Sequence, residues 1–277
     1  MIDYIITYVN NKENSWKNTF IQYCREHNLR QYIHKIYNER YNGTCWLPYH
    51  LKLIKKNMPF VNKVFVVVSN KEQLKGIELT DNVVIVEHKD FIPSEFLPTF
   101  NSTTIEIFLP LIKGLSEKFI YANDDMLPVG KMSEIDFFVD NKIRINWLKE
   151  KFDSNTTQFK YQCHNNQVYL SKDNEYYLRP YHSLTPMIKE HCLECFNLIY
   201  EMAKPYISAF RTKENINQYI YPLFEELRYG TLPSNIDFLY TELRENLSLD
   251  HQIICVNLEV DSNISKLFVE RLKELCE

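Results

Sequence analysis

Two runs of β-branched residues, KVFVVVSN over residues 63–70 and VVIVEHKD over 83–90, limit what this chain can fold into more than any other feature. Strands apolar on both faces need cover on both faces, which a parallel sheet flanked by helices provides. The neighbouring patterns agree. IDYIITYVN (2–10) reads as an opening strand, residues 11–27 as a loop and an amphipathic helix, and residues 44–58 have the apolar spacing of a helix ended by Pro59. TTIEIFLPLIKGL (103–115) reads as a helix leading into a strand, FIYANDD (119–125). This alternation predicts a Rossmann-like α/β fold with a mostly parallel sheet and right-handed crossovers. Past residue 125 the texture changes. DFFVDNKIRINWLKEKF (136–152) and QVYLSKD (167–173) read as strands or hairpins. Residues 184–204, 215–230 and 238–247 read as helices, followed by a strand at 251–260 and a helix at 264–276. The expectation is one domain over residues 1–277 with a helical insertion or subdomain at approximately 180–250.

The most chemically loaded point is the end of the FIYA strand, where Asn123, Asp124 and Asp125 follow one another. In open α/β sheets ligands bind beyond the carboxyl ends of the strands. Adjacent carboxylates on an apolar strand repel each other and resist desolvation, and a hard divalent cation bridging to phosphate oxygens would compensate. The residues alone equally allow a solvated turn or helix cap. With 5 glycines in 277 residues there is no Gly-rich phosphate loop, so phosphate would be held by metal, Arg, Lys or helix N-termini.

Composition narrows the partners. A formal net charge of -4 gives no field that would draw nucleic acid. No apolar run approaches the roughly 20 residues that cross a bilayer, and the N-terminus lacks a signal-peptide pattern, so the expectation is a cytoplasmic protein. Seven cysteines without pairing rhythm suit reduced thiols. HCLEC (191–195) has a CxxC spacing with Cys163 and His164 upstream, but two thiols supply only half of a structural zinc site, and buried thiols on a helix face are the preferred reading.

The run from Val86, VEHKDFIPSEFLPTFNSTTIE, with the later GLSEKFIYANDDMLPVGKMSEIDFF, resembles the second conserved region of the Stealth family. These proteins transfer hexose 1-phosphate in bacterial capsule synthesis, and the family includes the catalytic part of the lysosomal-enzyme GlcNAc-1-phosphotransferase. LPTF, Asn-Ser, Ile-Glu, GLS, Phe-Ile-Tyr and NDD occur in the family's order. Ile2 to Trp16 is similar to the family's first region, with Asn10 and Asn11 where the family has Asp-Gly. PYHSLTPMIKEHCLECF from Pro180 resembles its His-containing stretch, and AFRTKEN around Arg211 its Arg-bearing one. VNLEVDSN matches its fourth region faintly, since Leu258 follows Asn257 and the acids are Glu259 and Asp261.

The resemblance implies a GT-A-like sheet and a phosphotransferase that uses a nucleotide diphosphate sugar, UDP-linked by family weight. The acceptor is a glycan or lipid-linked oligosaccharide at the inner face of the membrane. It implies Asp124 and Asp125 as ligands of Mg²⁺ or Mn²⁺, and His182, Arg211, Glu106 and Asp125 as the catalytic set. Thr7, Tyr8, Val9, Asn10, Asn101, Ser102 and Asn123 would line the nucleotide sugar, with His88 and Asp90 orienting the loop before LPTF. His182 suits removal of the acceptor proton and Arg211 a bidentate hold on phosphate. Glu106 is open between metal ligand, acceptor contact and orienter. Lys52, Lys55 and Lys56 would serve a peripheral membrane contact or form a solvated helix face. Two other functions compete: a metal-dependent glycosyltransferase using a nucleotide sugar, and a non-catalytic scaffold of a capsule assembly complex.

Overall fold

A computed structural model describes residues 1–33, 46–242, 247–257 and 262–277, the side chains of 257 and 262–265 excepted. In chain order the elements are β1 (Ile2–Thr7), α1 (Asn14–Glu26), α2 (Leu47–Asn57), β2 (Val61–Val68), β3 (Val83–Glu87), α3 (Ser102–Ile107), β4 (Lys118–Asn123) and β5 (Met126–Leu127). There follow β6 (Phe138–Val139), β7 (Lys142–Ile143), β8 (Trp147–Lys151), α4 (Gln158–Ser171), β9 (Tyr176–Pro180), β10 (Thr185–Ile188), α5 (Lys189–Ala203), α6 (Ile220–Arg228), β11 (Phe238–Glu242), β12 (Ile253–Asn257) and α7 (Ser262–Cys276). The central sheet has the order β10-β4-β1-β2-β3 and is mostly parallel. Val64 to Val68 of β2 run parallel to Val83 to Glu87 of β3, so the two β-branched runs are neighbours. The α/β reading of the sequence is thereby confirmed.

The chain divides into two compact units. The first comprises residues 1–3, 88–121 and 134–235, and the second residues 4–87, 122–133 and 236–277. In the second unit α1 buries Trp16, Phe20 and Cys24, one face at helical spacing, and Glu13 caps it by accepting from Ser15 N and Trp16 N. Helix α2 starts with Pro in its first turn and ends with Lys55 and Lys56, both favourable to the helix dipole. Its Leu53 packs with Trp46, Leu127, Ile254, Val256, Phe268 and Leu272 in a core drawn from α2, β5, β12 and α7. In the first unit α5 buries Cys192, Cys195, Phe196, Ile199 and Ala203, again one stripe of a helix.

Four expectations change. Residues 167–171 of QVYLSKD belong to α4, whose buried positions include Gln162, His164, Asn166 and Gln167. Most of those polar groups have a partner: Gln162 Nε2 donates to Thr212 O at 2.7 Å, Asn166 Nδ2 to Asn217 Oδ1 at 2.7 Å, and Gln167 Oε1 accepts from Leu178 N at 3.0 Å, whereas Gln162 Oε1 is buried without a donor. A helix that buries amides shows no apolar period, which is why the pattern missed it. Residues 185–188 form strand β10, antiparallel to β4, where Pro186 is tolerated because β10 is an edge. Phe238–Glu242 is strand β11, parallel to β12, a pairing with a segment distant in sequence. Helix α3 stops at Ile107, and Pro110 turns the chain into a short 3₁₀ segment, Leu109–Leu111.

Gly130 donates its N–H to Gln252 O at 3.0 Å, and a Cβ there would lie 2.7 Å from His251 O and 2.9 Å from Gln252 Cα. Backbone of the facing segment would have to move. Gly130→Ala is therefore expected to destabilise the protein by about 1–3 kcal/mol in urea unfolding, and an unchanged midpoint would contradict the packing.

Candidate active site

In the first unit the site grows from α3. Asn101 caps this helix: its Oδ1 accepts from Thr103 N at 3.1 Å and Thr103 Oγ1 at 2.8 Å. Its Nδ2 donates to Thr104 Oγ1, Ser208 O and Asn215 Oδ1, so Asn101 is saturated by the fold itself. The cap holds Ser102 at the first helical position, where its hydroxyl meets the Arg211 guanidinium. One turn on, Glu106 is 2% exposed. Its Oε1 accepts from Tyr121 OH at 3.3 Å and its Oε2 from Gln218 N at 3.2 Å. Burial raises its pKa, opposed by the charge of Arg211 and by these hydrogen bonds. Glu106, Ser102 and Arg211 are thus one cluster.

His182, half-buried in the same unit, lies 2.7 Å from Tyr219 OH through Nδ1. Burial first, then the positive charges of Arg211 and Arg179, push its pKa down to about 4. At neutral pH the ring is uncharged and has a lone pair to offer. Asn215 ties the parts together: its Oδ1 accepts from Asn101 Nδ2, Thr103 Oγ1 and Thr212 N, and its Nδ2 donates to Tyr206 O and Ser208 Oγ.

In the second unit Asp124 and Asp125 occupy the two-residue turn between β4 and β5, directly after Asn123. Strand β5 pairs antiparallel with β12, Met126 opposite Cys255, which brings the Cys255 thiol to the Asp125 carboxylate. Burial and then the charge of Asp125 raise Asp124 to about 7, and burial raises Asp125 to about 6. Asp125 Oδ1 is buried with no hydrogen-bond partner. A buried carboxylate oxygen without a donor, next to a second carboxylate, fits a hard divalent cation, and oxygen donors are what Mg²⁺ and Mn²⁺ prefer. The Cys255 thiol is held well above its ordinary pKa by burial and then by Asp125, so it stays protonated and donates. Asp124 and Asp125 fit such a metal; Cys255 does not.

The remaining predicted residues take other positions. Thr7 ends β1, and Tyr8 N, just beyond it, donates to Val67 O at 2.9 Å. Val9 is partly buried, and Asn10 pairs with Gln73 through its backbone and accepts from Lys12 N, so its side chain shapes the turn after β1. His88 is buried, with its pKa lowered to about 4 by burial, and its backbone carbonyl accepts from Phe91 N and Ile92 N. Lys52 and Lys55 are paired with Glu78 and Asp81, and Lys56 donates to Leu275 O. Cys192 and Cys195 are buried on α5, and His191 is bound to Glu225 at 2.6 Å. Among the described residues no helix is long and apolar enough to cross a membrane. Leu258, Glu259 and Asp261 lie outside the described residues.

Pattern reasoning missed Tyr121, Gln218, Tyr219 and His50. His50, fully buried on α2, lies 3.1 Å from Tyr4 OH, and burial lowers its pKa to about 3. Only Tyr121 carried a signal, as the polar member of the apolar run before the acids.

The fold and its carboxylate turn define a mostly parallel α/β protein with a pair of adjacent acids at the end of a central strand. Residues 40–146 match a family model, Stealth protein CR2, conserved region 2. Capsular polysaccharide phosphotransferase cps1A of Actinobacillus pleuropneumoniae is 32% identical over 152 residues, 54% of this chain and 42% of that protein. Capsular polysaccharide phosphotransferase WcwK of Streptococcus pneumoniae is 34% identical over 140 residues, covering 50% and 41%. A capsular polysaccharide phosphotransferase of Aeromonas hydrophila, LcbA, is 27% identical over 249 residues, 84% of this chain and 68% of that protein. The chain thus matches less than half the length of the first two. Among solved structures, the galactosyltransferase LgtC with donor and acceptor sugar analogues gives a TM-score of 0.49 at 13% identity, covering 99% of this chain and 95% of that one. The chain is thus similar to the Stealth family over that family's second conserved region. Asn101, Ser102, Glu106, Asn123, Asp124 and Asp125 fall inside the matched region; Thr7 to Asn10, His182 and Arg211 fall outside it.

The acid turn has a pH signature. Both carboxyls titrate near 3.8 when unfolded and at about 7 and about 6 when folded, so the metal-free folded state holds the extra protons. Their contribution to stability is full below pH 4 and is lost as pH rises to 7. Replacing both by Asn should therefore stabilise the metal-free protein relative to wild type increasingly between about pH 4 and 7, and level off above that. Paired urea titrations in EDTA test this, and a difference that does not change with pH would contradict burial of the acids.

Proposed function

We propose that this chain is a hexose-1-phosphate transferase of capsular or cell-surface polysaccharide synthesis. The observation that carries the reading is the Asp124-Asp125 turn, with a buried, undonated carboxylate oxygen, inside the region that matches the Stealth family. The relatives named capsular polysaccharide phosphotransferases support it. The donor is a nucleotide diphosphate sugar, UDP-linked and carrying N-acetylglucosamine or a similar hexose, and the acceptor is a glycan or lipid-linked oligosaccharide hydroxyl. The chain works in the cytoplasm, at the inner face of the membrane.

Attack by the acceptor oxygen on the sugar-linked phosphorus forms one P–O bond and breaks another. The nucleoside monophosphate leaves, and a phosphodiester between two sugars remains. Such chemistry needs charge neutralisation and in-line placement more than covalent help. Asp124 and Asp125 would hold Mg²⁺ or Mn²⁺, which would supply neutralisation of the diphosphate charge. Neutral His182 takes the acceptor proton. Arg211 holds phosphate oxygens, and Glu106, too buried to meet an acceptor, orients Arg211 with Ser102.

The decisive assay incubates the protein with Mg²⁺ or Mn²⁺, UDP-, GDP- and CMP-sugars and a glycan pool, and identifies the released nucleotide by mass. Release of a monophosphate from a diphosphate sugar, dependent on metal and acceptor, is expected. Release of the diphosphate would move the chain to glycosyl transfer, and intact donor binding without turnover would make it a scaffold. Asp125→Ala should abolish metal-dependent release with an unchanged circular dichroism spectrum, and His182→Ala should slow transfer by about 10² to 10⁴. A near wild-type rate in either variant would remove that residue from its role.

A further inference from the structure

Tyr219 is a buried residue that no motif singled out, and its hydroxyl reaches His182. It stands at the N-cap position of α6 and is 1% exposed. Its oxygen is 2.7 Å from His182 Nδ1. The Phe159 ring meets Tyr219 edge-on at 6.0 Å and His182 edge-on at 6.2 Å, and the Tyr219 and His182 rings cross at 89°. Three rings thus constrain one another. The backbone beneath is fixed as well: Tyr219 N donates to Asn217 Oδ1 at 3.1 Å, while Asn217 exchanges reciprocal hydrogen bonds with Asn166 on α4. The preceding residue, Gln218, gives its N–H to Glu106. One buried turn therefore touches both the carboxylate that orients Arg211 and the imidazole.

A neutral imidazole carries one N–H and one lone pair, and the partner of one nitrogen decides the state of the other. If the Tyr219 phenol donated to Nδ1, the proton would sit on Nε2 and that nitrogen could not accept another. If Nδ1–H donates to Tyr219 Oη, the lone pair is on Nε2. The second arrangement alone suits a base. We infer that Tyr219 is a positioning residue that accepts from His182 Nδ1–H, holds the ring in the Nδ1-protonated tautomer and aims Nε2 at the acceptor hydroxyl. This rests on the transferase reading above, in which His182 receives the acceptor proton.

The test uses the full-length protein with ¹⁵N-labelled histidine, His182 being assigned from the signal lost in His182→Gln. Long-range ¹H–¹⁵N spectra at neutral pH are expected to show His182 protonated on Nδ1. In Tyr219→Phe the ring is expected to shift toward the Nε2-protonated form that histidine prefers in water. The same variant should lose about tenfold to a hundredfold in kcat, with the donor KM changed less than about twofold. Loss of packing alone would not move the tautomer. A wild-type ring protonated on Nε2, or a tautomer indifferent to Tyr219→Phe, would overturn the inference. The wild-type spectrum decides even if the variant fails to fold. Unimpaired transfer by His182→Ala, with the Nδ1–H tautomer still observed, would instead fault the transferase role of His182 and leave the positioning by Tyr219 standing.

Discussion

Removing a carboxyl group from water costs several kcal/mol unless donors replace the lost solvent, and Glu106 is 2% exposed. Much of the first unit's polar interior follows from that requirement. Tyr121 OH on β4 and Gln218 N before α6 supply donors from two separate stretches of chain, and Ser102 one turn back is shared with Arg211. The Arg211 charge works against the desolvation that raises the Glu106 pKa. To keep Arg211 there, its loop is tied to the start of α3 through Asn215, whose amide is used on both sides. The interior that results is unusually rich in side-chain amides for a helix-packed layer, including the buried face of α4.

The acid turn obeys the same physics with a different solution. Burial raises the pKa of both Asp124 and Asp125, the charge of Asp125 adds to it at Asp124, and one oxygen of Asp125 has no donor. Around Glu106 the fold supplies donors to both carboxylate oxygens, whereas this oxygen of Asp125 has none, as the buried Glu225 Oε1 has none. The thiol of Cys255 gives Asp125 a weak neutral donor and keeps the turn against β12.

How much of this the sequence made legible depends on whether a signal was local and apolar. Strands β1 to β4 and helices α1, α2, α5 and α7 were readable because burial wrote continuous apolar runs into the strands and a period of 3.6 into the helices. Strand β11 was not, since its partner lies beyond the segment 243–246 and its own letters, FLYTE, suit either state. Helix α4 was misread in its second half because the groups it buries are polar. Within the site, the NDD and LPTF words located the acids, Ser102 and Glu106. His182 and Arg211 came from resemblance, and geometry then placed Arg211 on the Glu106 cluster and His182 against Tyr219. Gln218 acts through its backbone N–H, a group every non-proline residue has, so no letter could have announced it. Tyr219 is one of 19 tyrosines and stood out only once its hydroxyl was seen on an imidazole.

Surface loops ordinarily tolerate insertions because only their ends are fixed. The stretch from Tyr206 to Tyr219 is anchored instead at internal points: Ser208, Thr212, Asn215, Asn217 and Gln218 each hold or receive a bond from another part of the first unit or of the stretch itself. Adding or deleting one residue between Arg211 and Gln218 would break the register between guanidinium, carboxylate and imidazole at once. In engineering terms this coil has the length tolerance of a β-strand in the middle of a sheet, and chimeras between related chains should exchange it whole.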